Sequence, residues 1–178
     1  MDTDRSPEMD MEITKKDIVL TSIYGFCIVS QVIALVIFRD TPKNPYIVIC
    51  GFVFLLLFFM FGGLPYYEFK KMGGVPEGKS YMSTTRLVDT GIYSVVRHPQ
   101  WLSWVMFSIA LILFTQHWLS LVLGITATVL VYIQTYDMDR SLIKKFGENY
   151  IRYMKRVPKM NFILGIMLLY RRKKYEHK

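Results

Sequence analysis

Four apolar runs, separated by short polar punctuation, dominate the chain. Residues 18–38 are nearly unbroken in apolar character and stop at Arg39, Asp40, Pro42, Asn44 and Pro45, which are turn and breaker types. A second run, 46–64, is rich in Phe and Leu and meets Gly62, Gly63 and Pro65 before the charged Glu68, Lys70 and Lys71. The third, 100–114, follows Pro99, a residue favoured in the first turn of a helix. Only Thr115, Gln116 and His117 separate it from the fourth, 118–136. Each run approaches the roughly 20 residues that a helix needs to cross the hydrocarbon core. So short a connection predicts that the last two form an antiparallel hairpin. The predicted fold is an all-α integral membrane protein with four transmembrane helices. Residues 18–178 form one domain, and its extramembrane parts, 66–99 and 137–178, build a pocket from the middle loop and a C-terminal helical segment.

Composition sharpens this picture. The 178 residues are 52% hydrophobic and 15% aromatic, yet the formal net charge is +8. A basic soluble protein that binds nucleic acid would share the charge but not the bilayer-length apolar runs, so nucleic acid is excluded as a partner. Cys27 and Cys50 both fall within apolar runs and read as small buried hydrophobes, without metal or redox spacing.

The basic residues set the sidedness. Of the 22 Lys and Arg, 3 precede the first run, 2 lie in the first loop, 5 in the middle loop and 12 after the fourth run. Cytoplasmic segments carry such an excess, which predicts a multi-pass protein with both termini and the polar site in the cytosol. Residues 1–17 hold 6 acids against 3 bases, with no small-residue cleavage pattern after the first apolar run, and read as an acidic cap rather than a signal peptide. Near the other end, 162–170 is apolar but too short to span. With Arg171, Arg172, Lys173 and Lys174 beside it, an interfacial or re-entrant helix held by anionic lipid is expected.

Two polar clusters carry the candidate chemistry. In the middle loop, Gly73, Gly74 and Gly78 match neither a P-loop nor a dinucleotide fingerprint and follow no strand, so a turn joining two spans is the better reading. Arg97 and His98 are different, because Pro99 fixes the start of the third helix directly after them. An ionisable pair at that position is a site by default, with Tyr93 and Trp101 as aromatic walls suited to a ligand bearing a carboxylate and a cation. The plainer reading is a pair of interfacial side chains that snorkel to lipid headgroups. The second cluster, Gln134, Tyr136, Asp137, Asp139 and Arg140, lies where the fourth helix leaves the membrane. Gln134 and Met138 share one helix face, and Thr135 and Asp139 another, so Asp137 and Asp139 cannot both face one pocket. The short hairpin returns this cluster to the membrane face that holds Arg97 and His98.

Leu87-Val88, Gly91-Ile92-Tyr93, Arg97-His98-Pro99, the acid three before Leu142, Phe146-Gly147, Tyr150, Tyr153 and Arg156-Val157-Pro158 form an ordered set across roughly residues 80–160. This set resembles the isoprenylcysteine carboxyl methyltransferase family and its phospholipid methyltransferase relatives. The resemblance implies a membrane enzyme that uses S-adenosylmethionine, releases S-adenosylhomocysteine and takes a lipophilic, prenylated or lipid acceptor from the bilayer. It implies a cofactor site at Arg86, Leu87, Val88, Tyr93, Arg97, His98, Pro99, Trp101 and Asp139, and catalytic positions at His98, Asp139 and Gln134. A carboxylate calls for a charge-assisted donor such as Arg97 or His98, and a sulfonium for the face of Tyr93 or Trp101.

Two positions depart from the family pattern. Where the family has a Glu-Glu pair, this chain has Met138 and Asp139, and where carboxyl methyltransferases place an arginine four residues earlier it has Gln134. A carboxylate left unpaired at this depth is costly, so the acceptor is expected to extend to a neutral amine, thiol or hydroxyl, with His98 as the candidate base. Two other readings stay open. One is an NADPH-dependent membrane reductase of the sterol reductase type, which shares an Arg-His-Pro motif. The other is a non-catalytic membrane protein that binds a lipid or a partner. Oligomeric state is left open by the sequence.

Overall fold

The computed structural model describes residues 14–74 and 84–176, and all of the secondary structure among them is helical. The expected acidic cap therefore lies outside the described residues for all but its last four positions, and Gly78 lies outside them too. Helix α1 (Lys15–Ile37) begins three residues before the apolar run because Thr14 and Asp17 form a capping box. The Thr14 hydroxyl accepts from the Asp17 amide at 3.2 Å, and the Asp17 carboxylate accepts from the Thr14 amide at 3.0 Å.

Helix α2 (Pro45–Met72) differs from expectation. It starts on an Asn44 cap with Pro45 in the first turn, but it does not stop at Gly62, Gly63 and Pro65. It runs seven residues beyond them, so 66–72 is helix rather than loop. Pro65 removes one hydrogen bond of the helix, yet the residue is buried between helices and its neighbour Phe61 is fully packed. Packing of this kind lets membrane helices carry a proline.

Helix α3 (Pro99–Thr115) is short, with 17 residues, and α4 (Trp118–Phe146) is long, with 29. By length and apolar character α1, α2 and α4 can each cross a membrane, and α3 is a shorter apolar helix beside them. Its length of about 25 Å sits at the lower limit for a span. The three-residue link does fold as a tight turn, with Gln116 left-handed at φ 49°. On that same side Gln116 and Asn44 exchange two hydrogen bonds, of 2.9 and 3.0 Å, which tie the α3–α4 turn to the start of α2.

Helix α3 packs against α2 on one flank and α4 on the other, and α1 lies along α4. Tyr24, Cys27, Ile28, Val105, Ala127 and Val131 fill the seam of α1, α3 and α4, while Phe61, Val96, Leu102 and Met106 fill that of α2 and α3. The outward faces are apolar as well, as Phe26, Phe52 and Leu56 show by their exposure. This is the pattern of a multi-pass membrane protein, whose surroundings are as apolar as its core.

The last ten residues of α4 project beyond the fourth apolar run and carry Asp139 with them. Gly147, at φ 55°, then breaks the chain sharply into the short α5 (Glu148–Arg156). That turn folds Tyr150 and Tyr153 back under α4, where they form a third cluster with Val157, Leu87, Leu142 and Phe146. Helix α6 (Phe162–Glu176) is six residues longer than the apolar stretch that foretold it.

Candidate functional site

The middle loop and the end of α4 meet around one carboxylate. Asp139 Oδ1 accepts from Arg97 Nη1 at 3.0 Å, His98 Nε2 at 2.7 Å and the Tyr150 hydroxyl at 2.7 Å, while Lys159 Nζ stands 3.1 Å from Oδ2. All of these groups are buried or nearly so, with the side chain of Asp139 6% exposed. Burial disfavours a charged carboxylate, but the bonds from His98 and Tyr150 and the charge of Arg97 outweigh it. Asp139 is therefore held below the usual carboxylate range and stays ionised. His98 moves the other way: burial lowers its pKa more than Asp139 raises it, and the ring is neutral. An ionised carboxylate only accepts, so the single ring proton of His98 sits on Nε2 and leaves Nδ1 as an acceptor. Burial, reinforced by Asp139, raises the Tyr150 phenol, which remains protonated.

The backbone holds this arrangement from a second direction. The amides of Arg97 and His98 donate to the carbonyls of Pro158 and Lys159 at 3.1 and 3.2 Å. The Tyr153 hydroxyl donates to the Tyr93 carbonyl at 2.6 Å. Upstream, the Gly73 carbonyl accepts from the amides of Thr85 and Arg86, which closes the loop onto the end of α2. Gly73 and Gly74 thus sit in a turn at the end of α2.

Beside the cluster lies a cavity of about 590 Å³. Its polar end is formed by Arg86, Arg97, His98 and Lys145 with the tyrosines 93, 150 and 153, and its apolar end by Phe58, Phe59 and Trp104 at the α2–α3 seam. Gly62 and Gly63, inside α2, line the passage between the two. Phe59 and Trp104 are also exposed on the outer surface, so the apolar end reaches the face that lipid would cover.

Of the residues picked out in the sequence, Arg86, Leu87, Val88, Tyr93, Arg97, His98, Pro99 and Trp101 all line this cavity. The ring of Tyr93 stacks on Phe69 at 4.9 Å. Asp139 and Gln134 do not line it. Asp139 lies behind the wall, gripping Arg97 and His98, where it positions the residues that a ligand would touch. Gln134 is buried one turn before Met138, which does line the cavity, and its Nε2 has no partner among the described residues. Asp137 points elsewhere, to Lys16 at 2.7 Å and Arg140 at 3.7 Å.

Several contributors were missed. Leu142, Lys145 and Phe146 line the cavity with Met138, and their spacing along one helix face was the available signal. Lys159 had none: it reaches Asp139 only because the chain doubles back after α5, and its ammonium also lies 3.2 Å over the Tyr136 ring.

The model of the isoprenylcysteine carboxyl methyltransferase family matches residues 79–144. The protein-S-isoprenylcysteine O-methyltransferase of Xenopus laevis is 36% identical over 84 residues, 46% of this chain and 29% of that protein. The enzyme of the same name from Homo sapiens is 36% identical over 89 residues, 47% of this chain and 30% of its own. The chain thus covers less than a third of the length of these curated relatives. No solved structure matches it. The family match spans the segment that supplies Arg86, Arg97, His98 and Asp139, and it is the isoprenylcysteine carboxyl methyltransferase family that this part of the chain resembles in sequence.

Proposed function

We propose that this chain is a membrane methyltransferase that uses S-adenosylmethionine at the cytosolic interface and modifies a lipophilic acceptor drawn from the bilayer. The single observation that carries this reading is the two-ended cavity, cationic and aromatic toward the polar side and apolar where it opens at the α2–α3 seam. A volume of about 590 Å³ suits a cofactor-sized ligand, within the usual range of roughly 300–1,000 Å³. The residues present also fit the cofactor's amino acid part. Arg97 lines the cavity, and its guanidinium is the charge-assisted donor a carboxylate calls for. Tyr93 and Trp101 offer aromatic faces to a cation. The cytosolic placement rests on the clustering of Lys and Arg in the segments that build this end of the cavity.

When bound, S-adenosylmethionine supplies a methyl group on a positively charged sulfur. The protein then has to hold the acceptor atom in line with that methyl carbon and to keep water away. Asp139 acts one step removed, by fixing the Arg97 guanidinium and the His98 ring. With its proton committed to Asp139, neutral His98 presents Nδ1 as an acceptor. From there it can take a proton from an amine or thiol acceptor as the new bond to carbon forms, and an ionised carboxylate acceptor needs no such help. Of the two positions that depart from the family pattern, Met138 lines the cavity without charge and Gln134 does not line it, so neither pairs with a carboxylate acceptor and a neutral one is favoured.

The test is thermal unfolding of the purified protein in detergent. S-adenosylhomocysteine at about 100 times its Kd stabilises the folded state by about 2.7 kcal/mol, a rise in Tm of about 5–10 °C. NADPH leaves Tm unchanged. Stabilisation by NADPH alone would reverse the assignment, and indifference to both nucleotides would favour a non-catalytic lipid-binding role. Incubating membrane extracts with methyl-labelled cofactor then identifies the acceptor class, with label expected in the lipid fraction.

A further inference from the structure

Helix α6 has two faces with opposite destinations. One docks on the protein: Gly165 sits against the Val95 carbonyl so closely that no Cβ would fit, and the ring of Phe162 packs 5.5 Å from that of Phe61. Arg172 Nη2 donates to the Ser94 carbonyl at 2.7 Å. The other face carries Ile163, Ile166, Met167 and Tyr170, which are 62, 55, 53 and 70% exposed. Their spacing of three, one and three residues makes a single apolar stripe along the helix. Arg171, Lys173 and Lys174 follow directly and are exposed as well.

The apolar part, about 14 Å of helix, cannot cross a hydrocarbon core of about 30 Å. An apolar stripe that ends in cations is instead the pattern of a helix lying in the headgroup region. The three membrane-length helices put a bilayer beside it, and the cations complement an anionic leaflet.

What α6 docks on gives this surface a consequence. Ser94 and Val95 lead directly into Arg97 and His98 in the cavity wall. The segment just before α6 supplies the Pro158 and Lys159 carbonyls that hold the amides of those two residues, as well as the Lys159 ammonium beside Asp139. We propose that α6 is a binding surface for anionic phospholipid headgroups of the surrounding membrane, and that its seating there fixes the Ser94–His98 wall of the cavity. This surface stands whether or not the methyltransferase reading does, because its recognition uses only the stripe and the cations.

The experiment compares the full chain in nanodiscs of phosphatidylcholine alone with discs holding 30% phosphatidylserine, read by amide hydrogen exchange. The anionic lipid is expected to slow exchange at least fivefold in 162–174, and in parallel at the Arg97 and His98 amides. Raised salt and the triple variant Arg171→Gln/Lys173→Gln/Lys174→Gln should abolish the difference, since these side chains are exposed and Arg172, which holds the Ser94 carbonyl, is left in place. Equal exchange in the two lipids would overturn the proposal, as would protection that survives the triple variant or that appears only with two copies per disc. Slowing confined to α6, with Arg97 and His98 unmoved, would overturn the link to the cavity. Because no nucleotide enters the measurement, failure here is separate from failure to bind S-adenosylhomocysteine.

Discussion

Two buried polar knots among the described residues are built on opposite principles. In the apolar seam of α1, α3 and α4, Gln31 donates to the carbonyl of Ser120 at 3.0 Å and to that of Ser108 at 3.3 Å, and the Ser108 hydroxyl returns a bond to Gln31 Oε1 at 2.9 Å. Every group is neutral, and donors and acceptors close on one another. At the cavity, Asp139 gathers Arg97, Lys159, His98 and Tyr150, a neutral ring and phenol with two cations around one anion. Arg97 Nε has no hydrogen-bond partner among the described residues, and Lys159 Nζ is held only by its ion pair to Oδ2 and by the Tyr136 ring. A knot that satisfies itself stabilises a fold, whereas one that gathers surplus positive charge against a cavity wall is arranged for a ligand.

The largest break in this comparison is Asp139→Ala. It strands Arg97 and Lys159 as buried cations, and removing one partner of such a group costs about 3–5 kcal/mol. Tm should fall steeply and the S-adenosylhomocysteine shift should vanish, because Arg97 and His98 lose their anchor. His98→Ala, which leaves the Arg97–Asp139 pair in place, separates the two effects: it should keep most of the stability and still lose the shift. A normal nucleotide response in both variants would show that the Asp139 cluster plays no part in ligand binding.

Next in size is Gln31→Leu. The carbonyl of Ser120 and the hydroxyl of Ser108 lose their buried partner, at a cost of about 1–3 kcal/mol. The ligand-induced shift, measured from the lowered starting Tm, should be unchanged. If the shift falls in proportion to stability, the two knots are not independent and the contrast drawn between them fails.

Acidification distinguishes the knots again, since only one of them titrates. The pKa of His98 is lowered on folding, so the unfolded chain takes up a proton at its ordinary value of about 6.5 while the folded chain resists. Stability is therefore full above that pH and declines below it, by at most about 1.4 kcal/mol per pH unit. Asp139, also lowered, adds a further loss only once the pH drops under its ordinary value near 3.8. Gln31→Leu should keep the decline between pH 6.5 and 5, and His98→Gln should flatten it in denaturation curves.

How much of this was legible beforehand divides along physical lines. The apolar runs gave the helices and the hairpin because bilayer thickness imposes a length that can be read directly. The end of α2 was misjudged because Gly62, Gly63 and Pro65 break helices in water, whereas here Pro65 is buried and the helix continues. Arg97 and His98 stood out because charge beside an apolar run is conspicuous. Tyr150 enters the sequence reading only as a member of the family-like motif set and Lys159 not at all, since their distance to Asp139 is set by the left-handed Gly147 and by the backbone bonds at 158–159, neither of which has a sequence period. The family resemblance implies a ligand contact at Asp139, whereas the fold places that residue behind the cavity wall.

The smallest effect tests that last distinction. Asp137 and Asp139 are two residues apart on α4, yet Asp137 turns outward to Lys16 at 2.7 Å with a quarter of its side chain exposed. A pair that open to solvent contributes well under about 1 kcal/mol. Asp137→Asn should shift Tm by no more than about 2 °C, and the S-adenosylhomocysteine response should match that of the unaltered chain. The remaining stability difference should fade with added salt, which screens an exposed pair but not the enclosed Asp139 cluster. Loss of the nucleotide response in Asp137→Asn would instead make the outward carboxylate the functional one, and the Asp139 cluster would then be a structural knot like that of Gln31.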